Sequence, residues 1–178
     1  MEKRQLTGLI SAGLALVLLL LAAFSTSWLI GTNYGVKSKV GLLSVDTCPE
    51  PDNCDSTSLS EWADSPYAPE GLSTYKTLAF ISFVLALATA AAMLALLVFV
   101  ATRKKSLAWP VHPGSVGLLL SIALLFLGVT TLAMHPFKSA GWGTGPGFML
   151  LAGGDVAALL AALMLGRSEE PSIDDWFE

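Results

Sequence analysis

The side chains with the clearest claim to chemistry are Cys48 and Cys54, a lone acidic residue inside an apolar run, Asp155, and two histidines, His112 and His135. Thiol redox chemistry is best served by Cys-x-x-Cys, whereas five residues separate these cysteines, a spacing that does not favour a redox pair. Nor do two thiols without nearby histidine complete a four-ligand zinc shell. Asp46, Glu50, Asp52 and Asp55 flank the cysteines but lack the Asp-x-Asp-x-Asp-Gly order of a calcium loop. They read as a solvated acidic face that attracts cations or a basic partner. No catalytic residue, metal or cofactor is expected from these patterns. No Asn-x-Ser/Thr acceptor occurs, so no N-linked glycan is expected either.

The composition says what must hold these residues in place. The chain has 178 residues, 53% hydrophobic and 13% charged, with a mean hydropathy of +0.64. A soluble domain carries about 25% charged residues, so much of this surface must face something other than water. A bilayer is the expected partner, since a hydrocarbon core about 30 Å thick takes about 20 apolar residues per helix. One domain suits the length. The net charge of −4 hides clusters: basic at Lys3 and Arg4, at Arg103 to Lys105 and at Arg167, acidic around the cysteines and from Glu169 to Glu178. With no basic stripe, nucleic acid is not expected as a partner.

Four apolar runs follow, at about 6–30, 75–102, 114–134 and 148–166, separated by polar segments at 31–74 and 135–147 and ended by a tail at 167–178. The first run has the basic start of a secretory signal, but Leu6 to Phe24 exceeds a signal core of about 7–15 residues, so its retention as a span is expected. Runs of this length predict helices, because backbone groups in lipid must be satisfied within the segment. All three basic clusters fall on one side of an even-numbered weave. The positive-inside rule makes that side cytoplasmic, so both termini are expected inside and both long connections outside. The membrane would be the plasma membrane, or the inner membrane of a bacterium.

Helix association in lipid rests on close packing of small residues at four-residue spacing. Gly154, Ala158, Ala162 and Gly166 form such a row and predict a close-contact face in a tight left-handed four-helix bundle. Asp155 lies beside that row. An unpaired carboxylate in lipid is costly, so it is expected to face the bundle interior, to be protonated, or to pair with a polar neighbour. Thr130, Thr131 or a backbone carbonyl would be its partner there. It would then either lock helices together or serve a proton or cation relay. Both histidines lie beside prolines, in connections expected on opposite sides of the membrane, and do not readily share one site with it.

In the first outer segment, residues 34–45 partly alternate apolar with polar, Val36, Val40 and Leu42 against Lys37 and Lys39, which is the period of a half-exposed strand. Pro49, Pro51 and Asn53 supply a turn between the cysteines. Outside the cytoplasm two cysteines in one small loop read as a disulfide, worth roughly 2–3 kcal/mol by the loop-closure model and pinning a hairpin tip. The acidic tail with Trp176 and Phe177 reads as solvated chain, or as a docking peptide.

Trp28 at the end of the first run, Gly41-Leu42-Leu43, then Cys48 and Cys54 together resemble the W…GLW…C…C signature of the claudin superfamily. That group includes peripheral myelin protein, epithelial membrane proteins and auxiliary subunits of channels and receptors. Leu43 stands where the signature has its second Trp, the cysteines are closer than usual, and the C-terminus lacks a claudin's PDZ-binding residue. High Ala content and compact loops suit a bacterial or otherwise divergent member. The resemblance covers the whole chain in topology. It implies an all-α membrane protein, a left-handed four-transmembrane-helix bundle under a small extracellular antiparallel β-sheet. The first loop would supply four strands or so and the second one. Trp28 would wedge beneath the sheet, and Gly41-Leu42 would anchor it on the bundle.

The function expected is non-enzymatic: adhesion, self-assembly or membrane-protein interaction through the outer loops, with Leu59, Trp62, Tyr67 and Phe137 as exposed contact points. An accessory subunit modulating a channel, transporter or envelope enzyme is the alternative. A proton-coupled carrier using Asp155 is the third.

Overall fold

A computed structural model describes residues 3–33, 36–50, 53–66, 68–102, 113–137 and 141–166. Asp52, Tyr67, Arg103 to Lys105, His112, Arg167 and the acidic tail with Trp176 and Phe177 lie outside those residues. In chain order the elements are helix α1 (Lys3–Ala23), strands β1 (Leu29–Asn33), β2 (Val36–Val40), β3 (Ser44–Glu50) and β4 (Asn53–Ser58), and the short helix α2 (Leu59–Ala63). Helices α3 (Leu72–Thr102) and α4 (Pro113–Ala133), strand β5 (Gly143–Thr144) and helix α5 (Pro146–Gly166) complete the fold.

Helices α1, α3, α4 and α5 are each long and apolar enough to cross a membrane. Pro113 and Pro146 open their helices where a missing N–H costs nothing and the fixed φ suits the first turn. The first helix stops at Ala23, well short of Ile30. Ser25, Thr26 and Ser27 follow, and the Ser25 hydroxyl accepts from the Ser27 N–H at 3.2 Å, the local competition with helix geometry typical of serine. Hydropathy places Trp28 and Ile30 in the first run; the backbone places Trp28 in the connector and Ile30 in β1.

Burial along each helix recurs at alternating three- and four-residue steps. The buried positions are Gly8, Ala12, Ala15, Leu19 and Ala22 on α1, and Leu72, Tyr75, Ala79, Ser82, Ala86, Thr89, Met93 and Leu96 on α3. On α4 they are Gly117, Ser121, Leu124, Gly128 and Thr131, and on α5 Gly147, Leu151, Gly154, Ala158, Ala161 and Leu165. A mean repeat of about 3.5 keeps one face of each helix turned toward its neighbours along its length. Helix α1 packs on α3 and α5, α4 closes the ring against the same two, and the α3–α5 diagonal touches little.

The seam mixes small residues such as Ala12, Ala15, Ala79 and Ala158 with larger apolar ones such as Leu19, Met93 and Leu124, while the outer faces also carry large apolar groups such as Ile10, Phe80, Leu119 at 69% exposure and Phe126 at 75%. A water-soluble bundle carries charged and polar residues on those outer faces instead.

Over one end of the ring lies a single antiparallel sheet in the order β4-β3-β2-β1-β5. Leu29, Val40, Leu42 and Val45 bury its underside in one core with Leu19, Ala22, Leu72 and Tyr75 from the helix ends. The first connection supplies four strands and the second supplies β5.

Candidate functional site

The sheet is seated on the helices at Trp28, which is 2% exposed. Its indole N–H donates to the Ala22 carbonyl at 2.8 Å, one of the last α1 carbonyls that have no partner in their own helix. Its backbone N–H donates to the Val40 carbonyl at 2.9 Å, and its own carbonyl accepts from the Gly145 N–H at 2.8 Å. The ring meets Phe148 edge-on at 6.1 Å. One residue thereby ties the end of α1, the sheet and the start of α5 together.

Gly41, Leu42 and Leu43 form the β2–β3 turn, closed by the Gly41 N–H donating to the Ser44 carbonyl at 2.8 Å. Leu42 is buried and points into the core, while Leu43 is 42% exposed. A Cβ on Gly41 would lie 2.7 Å from the Ser25 carbonyl oxygen and 2.9 Å from the Thr26 Cα. Only glycine lets the turn approach the chain that leaves α1 so closely. Gly145 faces the Ser27 carbonyl with the same lack of room. The segment 25–28 is thus clasped between the two connections that supply the strands.

Cys48 and Cys54 are joined by a disulfide across the β3–β4 hairpin, whose register runs from Ser44↔Ser58 to Glu50↔Asn53 with an irregularity between Thr47 and Glu50. Pro49 lies inside that irregularity; it has no N–H for the ladder, and such residues belong at bulges and edges. Among the described residues β4 has no strand on its outer side. The Leu59 N–H donates to the Leu43 carbonyl at 2.8 Å, which makes that opposed pair a hydrogen-bonded one. Alternation along an antiparallel ladder then turns the backbone N–H and C=O of Ser56 outward, away from β3. All of β4 is exposed except half-buried Thr57.

The aromatic side chains are arranged differently from the exposed contact points expected. Leu59 is 2% exposed and packs in the core, and Phe137 is buried too. Phe137 lies between Trp62 of α2, stacked at 5.5 Å, and Trp142, stacked at 4.3 Å, and Trp142 covers Gly31 of β1. The stack pins the second connection to the first. Trp142 drew no attention in the sequence, and neither did Ser58-Leu-Ser-Glu61. Its Ser58 hydroxyl accepts from the Glu61 N–H at 3.1 Å, and the Ser-x-x-Glu pattern of a helix start was the signal for α2.

Asp155 is 1% exposed, and neither carboxylate oxygen has a hydrogen-bond donor among the described residues. The Ser121 hydroxyl of α4 faces it without closing a bond. Thr130 and Thr131 are occupied elsewhere. The Thr130 hydroxyl donates to the Phe126 carbonyl at 2.8 Å; the Thr131 hydroxyl donates to the Leu127 carbonyl and meets the Ser82 hydroxyl at 3.1 Å. Beside Asp155 a crevice of about 10 Å³ lies between α4 and α5, against Gly128 and Leu151, room for about one water.

Of the small-residue row, Gly154, Ala158 and Ala162 are buried, and Gly166 ends the helix. A Cβ on Gly154 would touch Leu18 and Leu19, and one on Gly8 would press on Leu165, so α1 and α5 run antiparallel in close contact. Among the described residues no group of three or more His, Cys, Asp or Glu is gathered as for a metal ion. The geometry defines a stapled five-stranded sheet seated on a ring of four long apolar helices. The sequence matches no family model and no curated protein.

Proposed function

We propose that the chain is a multi-pass membrane protein, its long helices crossing the bilayer with both termini in the cytoplasm. Its stapled outer sheet then mediates self-assembly, adhesion or contact with other membrane proteins. The observation that carries this reading is the open edge of β4. That strand has no Pro or Lys and a single charge, Asp55, and an edge with so little to block it accepts a further strand through its main-chain groups. The outward-facing apolar side chains of the helices support embedding in lipid, where small residues supply helix contacts. Trp28, Gly41-Leu42 and the paired cysteines support a divergent claudin-like tetraspan, in which they seat and staple the outer sheet. Such a likeness concerns the scaffold and leaves the partner to be found by experiment.

The test is reconstitution of the oxidised chain into vesicles, with crosslinking and vesicle clustering as readouts. Ser56→Pro removes an outward N–H of β4 while sparing its bonds to β3. Wild type is expected to crosslink to itself or to cluster vesicles, and Ser56→Pro to lose both. A strictly monomeric wild type that leaves vesicles dispersed would sink the assembly reading. Capture of one membrane complex, insensitive to Ser56→Pro, would move the assignment to an accessory subunit.

A further inference from the structure

Between the sheet and α3 lies a groove of about 420 Å³, within the range of small-molecule sites. Its walls are Leu42 and Leu43 of the β2–β3 turn, Leu59 at the start of α2, and Phe80 of α3. Leu43 and Phe80 are 42% and 56% exposed. Below Phe80 the exposed side chains Ile81 and Val84 continue the apolar surface down α3, so the groove opens at its lower end onto the belt that faces lipid.

The upper end is polar and carries one charge of each sign. Lys76 lies one helical turn above Phe80, and its ammonium is 3.5 Å from the carboxylate of Asp64, the residue that caps α2. It is the one basic residue between Lys39 and Arg103. The Ser58 hydroxyl at the same end already accepts from Glu61, which leaves its own proton to donate. An exposed ion pair of this kind holds little energy of its own, so both partners remain open to a better-matched ligand.

We infer that this groove binds a zwitterionic aminophospholipid, of which phosphatidylethanolamine is the simplest. One acyl chain lies along Leu43 and Phe80, the phosphate meets Lys76 and the Ser58 hydroxyl, and the ammonium meets Asp64. The charge pattern sets the selectivity. A phosphate on a lysine makes a charge-assisted contact that any phospholipid offers. An anionic lipid without an ammonium leaves Asp64 facing its charge, and a choline headgroup offers Asp64 no N–H to accept. This assignment rests on the membrane reading above.

The experiment reconstitutes the full chain into vesicles of phosphatidylethanolamine, phosphatidylglycerol and phosphatidylcholine in equal parts, then counts lipids retained on the detergent-released protein by native mass spectrometry. Resistance to alkaline extraction from the vesicles is scored first; a chain that washes off refutes the membrane reading itself. With embedding intact, wild type is expected to retain phosphatidylethanolamine over phosphatidylglycerol by about tenfold, the order of one charge-assisted contact. Lys76→Met should lose that retention, and Asp64→Asn should narrow the preference. Neither exchange touches the core. Equal retention of the three lipids by wild type, or unchanged retention by Lys76→Met, overturns the proposal. A crosslink from the groove to a second copy of the chain, with lipid retention unaltered by either variant, overturns it in favour of a protein contact.

Discussion

Replacing Gly41 with alanine tests whether the sheet is held by contact with the chain leaving α1. The added Cβ would stand 2.7 Å from the Ser25 carbonyl oxygen, 2.9 Å from the Thr26 Cα and 3.3 Å from the Thr26 carbonyl carbon. All three are backbone atoms, so no side-chain rotation relieves the overlap and the turn must lift. Lifting drags Leu42, which is 1% exposed, away from its core. Overpacking of this kind costs about 1–3 kcal/mol. At 2–4 °C per kcal/mol for a chain of this size, a fall of about 4–8 °C in Tm is expected for a cost of about 2 kcal/mol. Gly13→Ala is the matched control. Inside α1 its Cβ would meet nothing within 4 Å, and exchanging a mid-helix glycine for alanine stabilises by roughly 0.5–1 kcal/mol. The assay is thermal unfolding in detergent followed by circular dichroism, with proteolysis at residues 24–27 reporting on the seat. Equal shifts in the two variants, or a Gly41→Ala protein as stable and protease-resistant as wild type, would refute the clasp.

Further expectations follow from the staple and the buried polar groups. Replacing Cys48 and Cys54 by serine should cost about 2 kcal/mol, the entropy of so short a loop, and speed hydrogen exchange in β3 and β4 while sparing the helices. Free thiols in unreduced protein would contradict the bridge. Asp155→Asn should leave the free energy of unfolding unchanged or raise it by about 1 kcal/mol, since an orphan buried polar group stabilises nothing. A fall of that size instead would reveal a donor to the carboxylate. A double-mutant cycle on Ser82→Ala and Thr131→Val should return about 0.6 kcal/mol of coupling, typical of hydrogen bonds between helices in lipid. A coupling of zero would show that the two hydroxyls act independently.

Legibility followed the range of the forces involved. Four helices could be read directly, because about 20 consecutive apolar residues state a helix without reference to the rest of the chain. The Cys48–Cys54 tip was equally local, its turn residues lying between the two thiols. The end of α1 was not: a run of apolar residues continues through Trp28 to Ile30, and only the hydroxyl chemistry of Ser25 to Ser27 breaks it. Leu59, Trp62 and Phe137 looked alike in sequence as isolated apolar residues in polar loops. Whether each meets water depends on the second connection folding back to lay Phe137 between Trp62 and Trp142.

Helix phase drew the sharpest line between the two kinds of knowledge. That Asp155 belongs inside follows from its charge alone. Its neighbour depends on rotation: Thr131 lies on the α4 seam and bonds Ser82, Thr130 is turned about 100° from it, and Ser121, three turns earlier, is what faces the carboxylate. By itself the sequence determined the apolar spans, the small residues that let them approach and the pair of thiols. Tertiary structure alone decided which faces meet, that Trp28 joins three elements, and that β4 is left as an open edge among the described residues. Register and helix rotation are set by contacts between segments far apart in the chain, which no local pattern of residues can carry.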